Sequence, residues 1–267
     1  MSRIFIWGAG RCGRSIANAL TAAGHDILGT WNRSQAAAER GGPKPWPTYF
    51  GPERPAALDQ AEVVWITVTD TQLAAQGHVL RSHQIALHAS GAVPSRILKQ
   101  PTDAARAVAS CHPIQSFSED IAPPEHIRGI TFGLEGDPEA VQIAKDLVES
   151  MDASWFVVES DTQKALYHAA CCIASNALVA LADQAVDVFQ HVGVDRPTAL
   201  RALAPLILGT ARNLSQANTA QETLTGPIAR GDHTVIAAHK NAIAQHCPDF
   251  SIEYDRLCDL IERMLAQ

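Results

Sequence analysis

Several polar side chains of this 267-residue chain have the types and spacing needed for proton transfer beside a carbonyl group. His112 precedes Pro113; a neutral imidazole can donate a hydrogen bond, and an imidazolium can give up a proton. Lys164 and His168 are four residues apart, so they share one face of a predicted helix. Apolar neighbours predict that Lys164 is buried, where an ammonium needs a partner or a substrate anion. We predict His112, Lys164 and His168 as catalytic residues; a structural histidine is the alternative at both imidazoles.

Two further residues suit the binding of an acidic substrate. Asn176 continues the helical row that starts at Lys164. Arg230 lies in the motif Thr-Gly-Pro-Ile-Ala-Arg-Gly-Asp (225–232), and a guanidinium can bind a carboxylate through two N–H groups. A structural ion pair of Arg230 with Asp232 or another acid is an equally good interpretation. We predict Asn176 and Arg230 as substrate-binding residues.

A glycine motif near the N-terminus predicts a phosphate-binding turn. An apolar run leads into Gly8-x-Gly10-x-x-Gly13, and an Ala-, Ile- and Leu-rich helical pattern follows. The first glycine permits the tight turn, the second lets backbone approach a pyrophosphate, and the third lets the helix pack closely on the strand. Helix N–H groups and the helix dipole would then hold the phosphates. The predicted cofactor-binding residues of this turn are Gly8, Ala9, Gly10, Arg11, Cys12 and Gly13.

The end of the second predicted strand indicates which nucleotide binds. An NAD site usually places Asp or Glu there, but this chain has Asn32-Arg33-Ser34, which offers a cation and hydrogen-bond donors to a 2′-phosphate. We therefore predict NADP(H) rather than NAD(H), with a solvated loop arginine as the alternative for Arg33. Thr69, Ser90 and Gly91 follow two later predicted strands, and they complete the predicted cofactor site.

The elements that must position these residues are predicted from periodicity. Strand-like and helix-like segments alternate to about residue 159, which indicates a doubly wound parallel sheet with crossover helices. From residue 160 onward only helical patterns occur, at 161–191, 197–216, 234–245 and 252–266. The predicted fold class is therefore α/β, with a dinucleotide-binding domain at 1–159 and a helical substrate and dimerisation domain at 160–267.

Composition excludes several functional classes. The formal net charge of −7 and the lack of basic runs argue against nucleic acid. No apolar stretch is expected to reach the length of a membrane span, because Asp183, Gln184 and Asp187 interrupt 178–188. The first strand begins almost at the N-terminus, so no signal peptide and a cytoplasmic location are expected. The six cysteines show no metal or disulfide spacing, and a redox role for Cys171-Cys172 is the less favoured alternative to two buried thiols.

These motifs together resemble a known arrangement. His-x-Ser-Gly-Ala (88–92), His-Pro-x-Gln-x-Phe (112–117), Lys-Ala-Leu-Tyr-His-Ala (164–169) and the 225–232 motif resemble a bacterial family within the 6-phosphogluconate dehydrogenase-like superfamily. The resemblance implies an N-terminal Rossmann domain and a family-specific helical C-terminal domain. It also implies similarity to pyrroline-carboxylate, ketopantoate and deazaflavin-dependent NADP reductases and to prephenate dehydrogenases. Hydroxyacid dehydrogenases of this superfamily place Asn one helical turn after their Lys, whereas His168 stands there in this chain.

The expected function is reduction of a small carbonyl or imine acid, such as a 2-oxo acid, by NADPH. The nicotinamide would stack near Ser90-Gly91, the substrate would bind between the two domains, and Lys164 would polarise or protonate the developing alkoxide with His112 or His168. A non-catalytic NADP(H)-binding sensor of the same fold is the alternative. An apolar helix around 173–188 with few other helices to cover it also predicts a homodimer formed through the helical domain.

Overall fold

The computed structural model describes residues 1–99 and 105–266. By its internal contacts the chain divides into two compact units, Met1–Cys172 and Ile173–Gln267. The sequence placed the boundary near residue 160 and so assigned the helix that starts at Asp161 to the second domain. The structure groups that helix with the sheet, because Lys164 on it is buried against strand residues of the first unit.

The first unit contains an eight-stranded sheet, within the described residues, in the order β3-β2-β1-β4-β5-β6-β7-β8. The neighbours from β3 to β6 run parallel, and β7 and β8 run in the opposite direction. The predicted α/β class is confirmed. The strands are β1 Arg3–Trp7, β2 Asp26–Asn32, β3 Thr48–Phe50, β4 Val63–Ile66, β5 Ile85–His88, β6 Ala107–Pro113, β7 Thr131–Gly136 and β8 Ser154–Val157.

Both faces of this sheet are covered, which is why the central strands are apolar throughout. Every residue of β4 and β5 is buried, as expected for parallel strands with a layer on each side. Alternate residues of β1 point to opposite cores: Ile4 and Ile6 belong to one cluster, and Phe5 and Trp7 belong to the other. The parallel strands therefore bring their carboxyl ends to one edge, where a ligand is expected.

The first four α-helices of the first unit lie between strands along the chain, and the fifth follows the last strand. They are α1 Arg11–Ala22, α2 Gln35–Glu39, α3 Asp70–Leu73, α4 Pro138–Ser150 and α5 Asp161–Cys172. Pro138 occupies the first turn of α4, and Asp137 is its N-cap residue. Among the described residues, the Asp137 side chain makes no cap hydrogen bond to the helix. The carboxylate instead accepts the Val108 N–H at 2.9 Å and pairs with Lys99 at 2.6 Å.

The second unit is helical within the described residues. A π-helical turn, Ile173–Ala177, precedes α6 Leu178–Gln190, and α7 Arg196–Gln216, α8 His233–His246 and α9 Ser251–Leu265 follow. Buried apolar residues are few here: Val186, Ala199, Ile236, Ile243 and Cys258. Large apolar side chains are instead exposed on several helices, among them Val179 at 69% and Leu206 at 66%.

Two expectations about the long helical segment were wrong. Leu166 and Ile173, expected to be buried near Lys164, are 66% and 70% exposed. The segment Asp161–Gln190 is also apolar and long enough to cross a membrane by length and composition alone, contrary to the expectation that no stretch approaches a span. Asp183 and Asp187 are too few charges to break the apolar character of so long a helix. A single helix of this kind is weak evidence for a membrane.

Candidate functional site

The glycine motif, Gly8 to Gly13, forms a turn that we call the cradle; it packs closely on the sheet at Gly8 and Gly13 and has free space beside Gly10. Gly8 has a positive φ of 106°, and a Cβ there would lie 2.7 Å from the carbonyl carbon of Thr67. A Cβ on Gly13 would lie 2.3 Å from both the Gly8 carbonyl oxygen and Thr67 Oγ1. Gly10 precedes α1 without a side-chain cap, and no atom lies within 4 Å of its Cβ position. The first-turn N–H groups of α1 thus face space suited to a phosphate.

A cleft of about 380 Å³ extends from this cradle at the point where the strand order reverses between β1 and β4. It brings together five of the predicted cofactor residues: Gly8, Gly10, Asn32, Arg33 and Thr69. Its other lining residues, which the sequence analysis missed, are Trp7, Trp31, Gly51, Pro52, Thr67, Val68, Gln72 and Gln76. No acidic side chain is among these lining residues. The cleft has the position and the glycine turn expected of a dinucleotide site.

The remaining predicted residues of the turn have side chains directed elsewhere. Ala9 is fully buried, and Cys12 packs against the core, where burial raises the pKa of its thiol to about 12. Arg11 is exposed. Ser34 is the N-cap of α2, and its hydroxyl accepts the Ala37 N–H at 3.3 Å. Ala9 and Cys12 can therefore serve a phosphate only through the backbone.

Arg14, which the sequence analysis did not single out, holds the cradle from below. Its guanidinium is 2% exposed and donates to the carbonyl oxygens of Ala9 at 2.7 Å and Ala37 at 3.1 Å. It also donates to the Asp120 carbonyl at 2.8 Å and pairs with the Asp120 carboxylate at 3.1 Å. One buried cation thereby fixes the glycine turn relative to the start of α2. Nothing in the residue spacing distinguishes Arg14 from a solvated arginine on a helix.

A second polar cluster lies at the ends of β5 and β6 and along β7, with Lys164 of α5 at its base. Lys164 is 1% exposed, and its ammonium donates to Ser110 Oγ at 2.7 Å. Ser110 in turn donates to the Ser90 carbonyl at 2.9 Å. Glu135 Oε2 lies 3.7 Å from the ammonium, and both Glu135 oxygens accept hydrogen bonds from Ser95. Burial lowers the pKa of Lys164, and Glu135 partly offsets that effect.

His112, Tyr167 and His168 form the more accessible part of the cluster. Tyr167 Oη lies 3.0 Å from His112 Nδ1, and the rings of His112 and His168 meet edge to face at 5.6 Å between centroids. Burial, with smaller contributions from His168 and Lys164, lowers the pKa of His112 to about 4. His112 is therefore a neutral imidazole near pH 7. The structure thus brings the three predicted catalytic residues together and adds Tyr167, Ser110 and Glu135, which the prediction lacked.

Two glycines make room for these rings. A Cβ on Gly91 would lie 2.4 Å from His168 Cδ2 and 2.8 Å from His112 Cε1. A Cβ on Gly133, the β7 residue opposite His112, would lie 2.9 Å from the Tyr167 ring. Ser90 and Gly91 therefore lie in this cluster and are not among the residues that line the dinucleotide cleft. Their predicted contact with the nicotinamide stays a prediction.

His88, at the end of β5, is fully buried beneath the same cluster. Its Nδ1 accepts the Ser90 N–H at 3.2 Å, so the proton of the neutral ring is on Nε2. Burial, and secondarily the charge of Lys164, lowers the pKa of His88 to about 3. As a neutral side chain, His88 has a structural role: its hydrogen bond with the Ser90 N–H holds the turn at Ser90.

The predicted substrate-binding residues belong to the second unit. Asn176 lies on the π-helical turn, whose wider spacing interrupts the row of residues four apart, and its side chain is exposed. Arg230 is exposed, and Asp232 does not pair with it among the described residues but caps α8 by accepting the Val235 N–H. Both assignments remain predictions.

Thiol and metal chemistry find no support in the described part of the chain. No group of three or more potential metal ligands occurs there, and the six cysteines are free. Burial and the neighbouring Cys172 raise the pKa of Cys171, which disfavours the reactive thiolate.

The fold and the two clusters define a Rossmann-type nucleotide-binding protein with a helical C-terminal unit. A family model described as a Rossmann-like domain matches residues 2–113, and one described as a Domain of unknown function (DUF2520) matches residues 130–261. These two matches confirm the resemblance that the motifs indicated, a Rossmann domain followed by a separate C-terminal domain. No protein with a curated function matches the sequence.

Solved structures share this fold over nearly the whole chain. A protein from Thermotoga maritima is 27% identical with a TM-score of 0.75, and the match covers 99% of this chain and 100% of that one. A Bacteroides fragilis protein provisionally named an NADP oxidoreductase is 20% identical (TM-score 0.74, 98% of each chain). The 1-pyrroline-5-carboxylate reductase of Streptococcus pyogenes is 15% identical (TM-score 0.66, 98% of each chain). Structures with NADP or NADPH bound also match.

Proposed function

We propose that the protein is an NADP(H)-dependent oxidoreductase that transfers a hydride between the nicotinamide and a small carbonyl or imine acid, for example a 2-oxo acid. The observation that carries this proposal is the presence of two clusters at the carboxyl ends of the parallel strands of one sheet. One is a glycine-lined cleft without acidic residues, and the other is a set of proton-donating side chains. Reductases that share the fold support it.

The residues of the chain divide the chemistry between them. Bound NADPH would supply the hydride, which adds to the carbonyl or imine carbon. The electron pair displaced onto oxygen or nitrogen would take a hydrogen bond from the N–H group of neutral His112 and would then take a proton from solvent. The buried ammonium of Lys164 favours negative charge at this place. Lys164 donates to Ser110 and is almost completely enclosed, so we assign it charge stabilisation and the positioning of Ser110.

Preference for NADP(H) over NAD(H) is part of the proposal. Arg33 is exposed at the end of β2, and no ion pair to it occurs in the described part of the chain. A guanidinium in that condition can bind a 2′-phosphate without giving up another partner.

The test is a panel of small oxo and imino acids with NADPH, on wild-type protein and on the His112→Gln variant. We expect at least one acid to be turned over and the variant to be slower by about 100-fold, the usual contribution of a positioned acid or base, while it retains NADPH affinity. His83→Gln is the matched control, at an exposed histidine whose Nε2 lies 3.1 Å from the Asp59 carbonyl oxygen. Cofactor binding without turnover of any acid would instead support the sensor hypothesis.

We further propose that the helical unit pairs with a second copy of this chain. A groove of about 600 Å³ between α6 and α7 is lined mainly by apolar residues, and exposed leucines continue over α7. Monomeric proteins rarely expose apolar surface of this extent. The charged residues on its rim, Asp183 and Arg196, already pair with each other, so the groove offers a neutral apolar surface.

Light scattering tests the dimer. The wild-type protein is expected to be dimeric at micromolar concentration, and Val179→Lys should make it monomeric, because a buried unpaired ammonium opposes association. Glu253→Lys, an exposed charge reversal on α9, is the control. Two outcomes would refute the pairing: a wild-type protein that is a stable monomer, or co-sedimentation of the protein with lipid vesicles through α6.

A further inference from the structure

We propose that Tyr167 is a positioning residue for His112: its hydroxyl donates to Nδ1 and thereby places the single imidazole proton on Nε2, the nitrogen available to a substrate. This inference deepens the proposed function and rests on it for its catalytic meaning. Its structural content, the tautomer of one histidine, is measurable without cofactor, substrate or turnover.

The distance between the two side chains is that of a direct hydrogen bond. Tyr167 Oη and His112 Nδ1 are 3.0 Å apart, and the two ring centroids are 5.8 Å apart. No other hydrogen bond to the Tyr167 hydroxyl is made within residues 1–99 and 105–266. If His112 were the donor, the phenolic proton would be left without an acceptor there. Donation from the hydroxyl to the imidazole nitrogen satisfies both groups.

Packing holds both rings in this geometry. The Tyr167 ring lies over Gly133, where a Cβ would approach within 2.9 Å, and its edge meets Phe156 at 5.4 Å between centroids. The His112 ring is confined on another side by Gly91. The side chains are therefore ordered before any ligand binds, which reduces the entropy that must be lost in the reaction.

The charges around His112 make the choice of nitrogen matter. The titratable groups that act on it are Lys164, Tyr167 and His168 on α5 and His88 on β5; Cys111 precedes it on β6, and Glu135 on β7 lies against Lys164. Burial opposes an imidazolium, His168 and Lys164 add to that effect, and the pKa of His112 falls to about 4. A neutral imidazole has only one N–H group. An acceptor role at Nδ1 therefore forces the donor role onto Nε2, which has no hydrogen-bond partner among the described residues.

Removal of the hydroxyl should have two effects that a merely space-filling tyrosine would not show. Tyr167→Phe retains the ring over Gly133 but frees Nδ1, so the imidazole proton divides between the two nitrogens. The pKa of His112 should also rise, because a hydrogen bond to the neutral form opposes protonation. By comparison with other partners that orient functional histidines, kcat should fall about 10- to 100-fold with little change in KM.

The experiment is nitrogen-15 NMR of histidine-labelled, ligand-free protein, with the His112 signals identified by their loss in His112→Gln. We expect the wild-type imidazole to carry its proton on Nε2, and Tyr167→Phe to show a mixture of tautomers and a higher titration midpoint. Tyr254→Phe is the matched control: Tyr254 Oη lies 3.1 Å from His239 Nδ1 in the second unit, and its removal should leave His112 unchanged.

The outcomes separate this inference from the proposed function. A wild-type proton on Nδ1, or a Tyr167→Phe spectrum and titration identical to wild type, overturns the role of Tyr167 whatever the turnover. If the imidazole carries its proton on Nε2 but the protein reduces no acid of the panel, the positioning role of Tyr167 stands and the proposed function is refuted. If Tyr167→Phe does not fold, Gly133→Ala displaces the ring without removing the hydroxyl and should shift the His112 tautomer in the same direction.

Discussion

Replacement of Lys164 by methionine tests how the buried part of the cluster is held together. Methionine retains an unbranched apolar side chain but removes the ammonium, which is 2.7 Å from Ser110 Oγ and 3.7 Å from Glu135 Oε2. Glu135 would then keep the two hydrogen bonds from Ser95 but lose its cation. The expected result is a less stable protein that retains the dinucleotide cleft, because Lys164 is not among the residues that line it.

The size of the effect follows from the distances and the burial. At an effective dielectric constant of about 20, charges 3.7 Å apart attract each other by about 4.5 kcal/mol, which the desolvation of two ions largely offsets. Removal of one member of a buried pair usually costs about 3–5 kcal/mol. Glu135 is 17% exposed and keeps its Ser95 hydrogen bonds, and the variant is relieved of the desolvation that lowers the pKa of Lys164, so we expect only about 1–2 kcal/mol, chiefly from the lost Ser110 hydrogen bond. Removal of both charges in Lys164→Met/Glu135→Gln should restore at least about 1 kcal/mol.

Urea unfolding of the wild type, both single variants and the double variant measures these values. Burial lowers the pKa of Lys164 below its ordinary value of 10.5, so at alkaline pH the native state loses this proton before the unfolded state does. Wild-type stability should therefore rise with pH between the lowered pKa and 10.5, and the methionine variant should lack this rise. Lys99→Met, in the more exposed pair with Asp137, should cost at most about 1 kcal/mol. The reasoning would be refuted if the losses in free energy of unfolding of the two single variants added up to that of the double variant. It would also be refuted if Lys164→Met lost no more stability than Lys99→Met.

Three further predictions concern the cleft and the pH range of stability. Arg33→Ala should weaken NADPH binding by about 10- to 100-fold and leave NADH binding nearly unchanged, as measured by fluorescence titration; equal losses would contradict the 2′-phosphate contact. Gly10→Ala should fold with wild-type stability, because its Cβ meets no atom within 4 Å, yet lose NADPH affinity; unaltered affinity would place the pyrophosphate elsewhere. The pKa values of His88 and His112 fall to about 3 and about 4, so both side chains stay neutral in the native state at a pH where the unfolded chain takes up protons. Their contribution to the free energy of unfolding is therefore complete above pH 6.5 and is lost as the pH falls toward 4 and 3. The decline should be shallower in His112→Gln, and an unchanged slope would argue against the lowered pKa.

Features that depend on neighbours along the chain were predictable. The three glycines of the cradle lie within six positions of one another between a strand and a helix, so their spacing alone specifies the turn. The alternation of strand-like and helix-like segments indicated a doubly wound sheet, and the fully buried strands β4 and β5 agree with it. Each of these signals arises from backbone geometry or from local periodicity, and the predicted fold class followed from them.

Contacts between distant segments required the folded chain. Ser110, Glu135 and Tyr167 come from β6, β7 and α5, and each has an ordinary residue type for its element, so no spacing connects them with His112. Exposure was misjudged for the same reason at Leu166, whose apolar character says only that it could be buried.

By itself the sequence determined the α/β fold and the glycine cradle for a nucleotide, because both depend on short-range backbone constraints. Only the tertiary structure decided that Lys164 is enclosed beneath Ser110 and that Tyr167 contacts Nδ1 of His112. Those contacts depend on how α5 packs across the ends of three strands, and this packing is a balance of burial, charge and shape that no local pattern encodes.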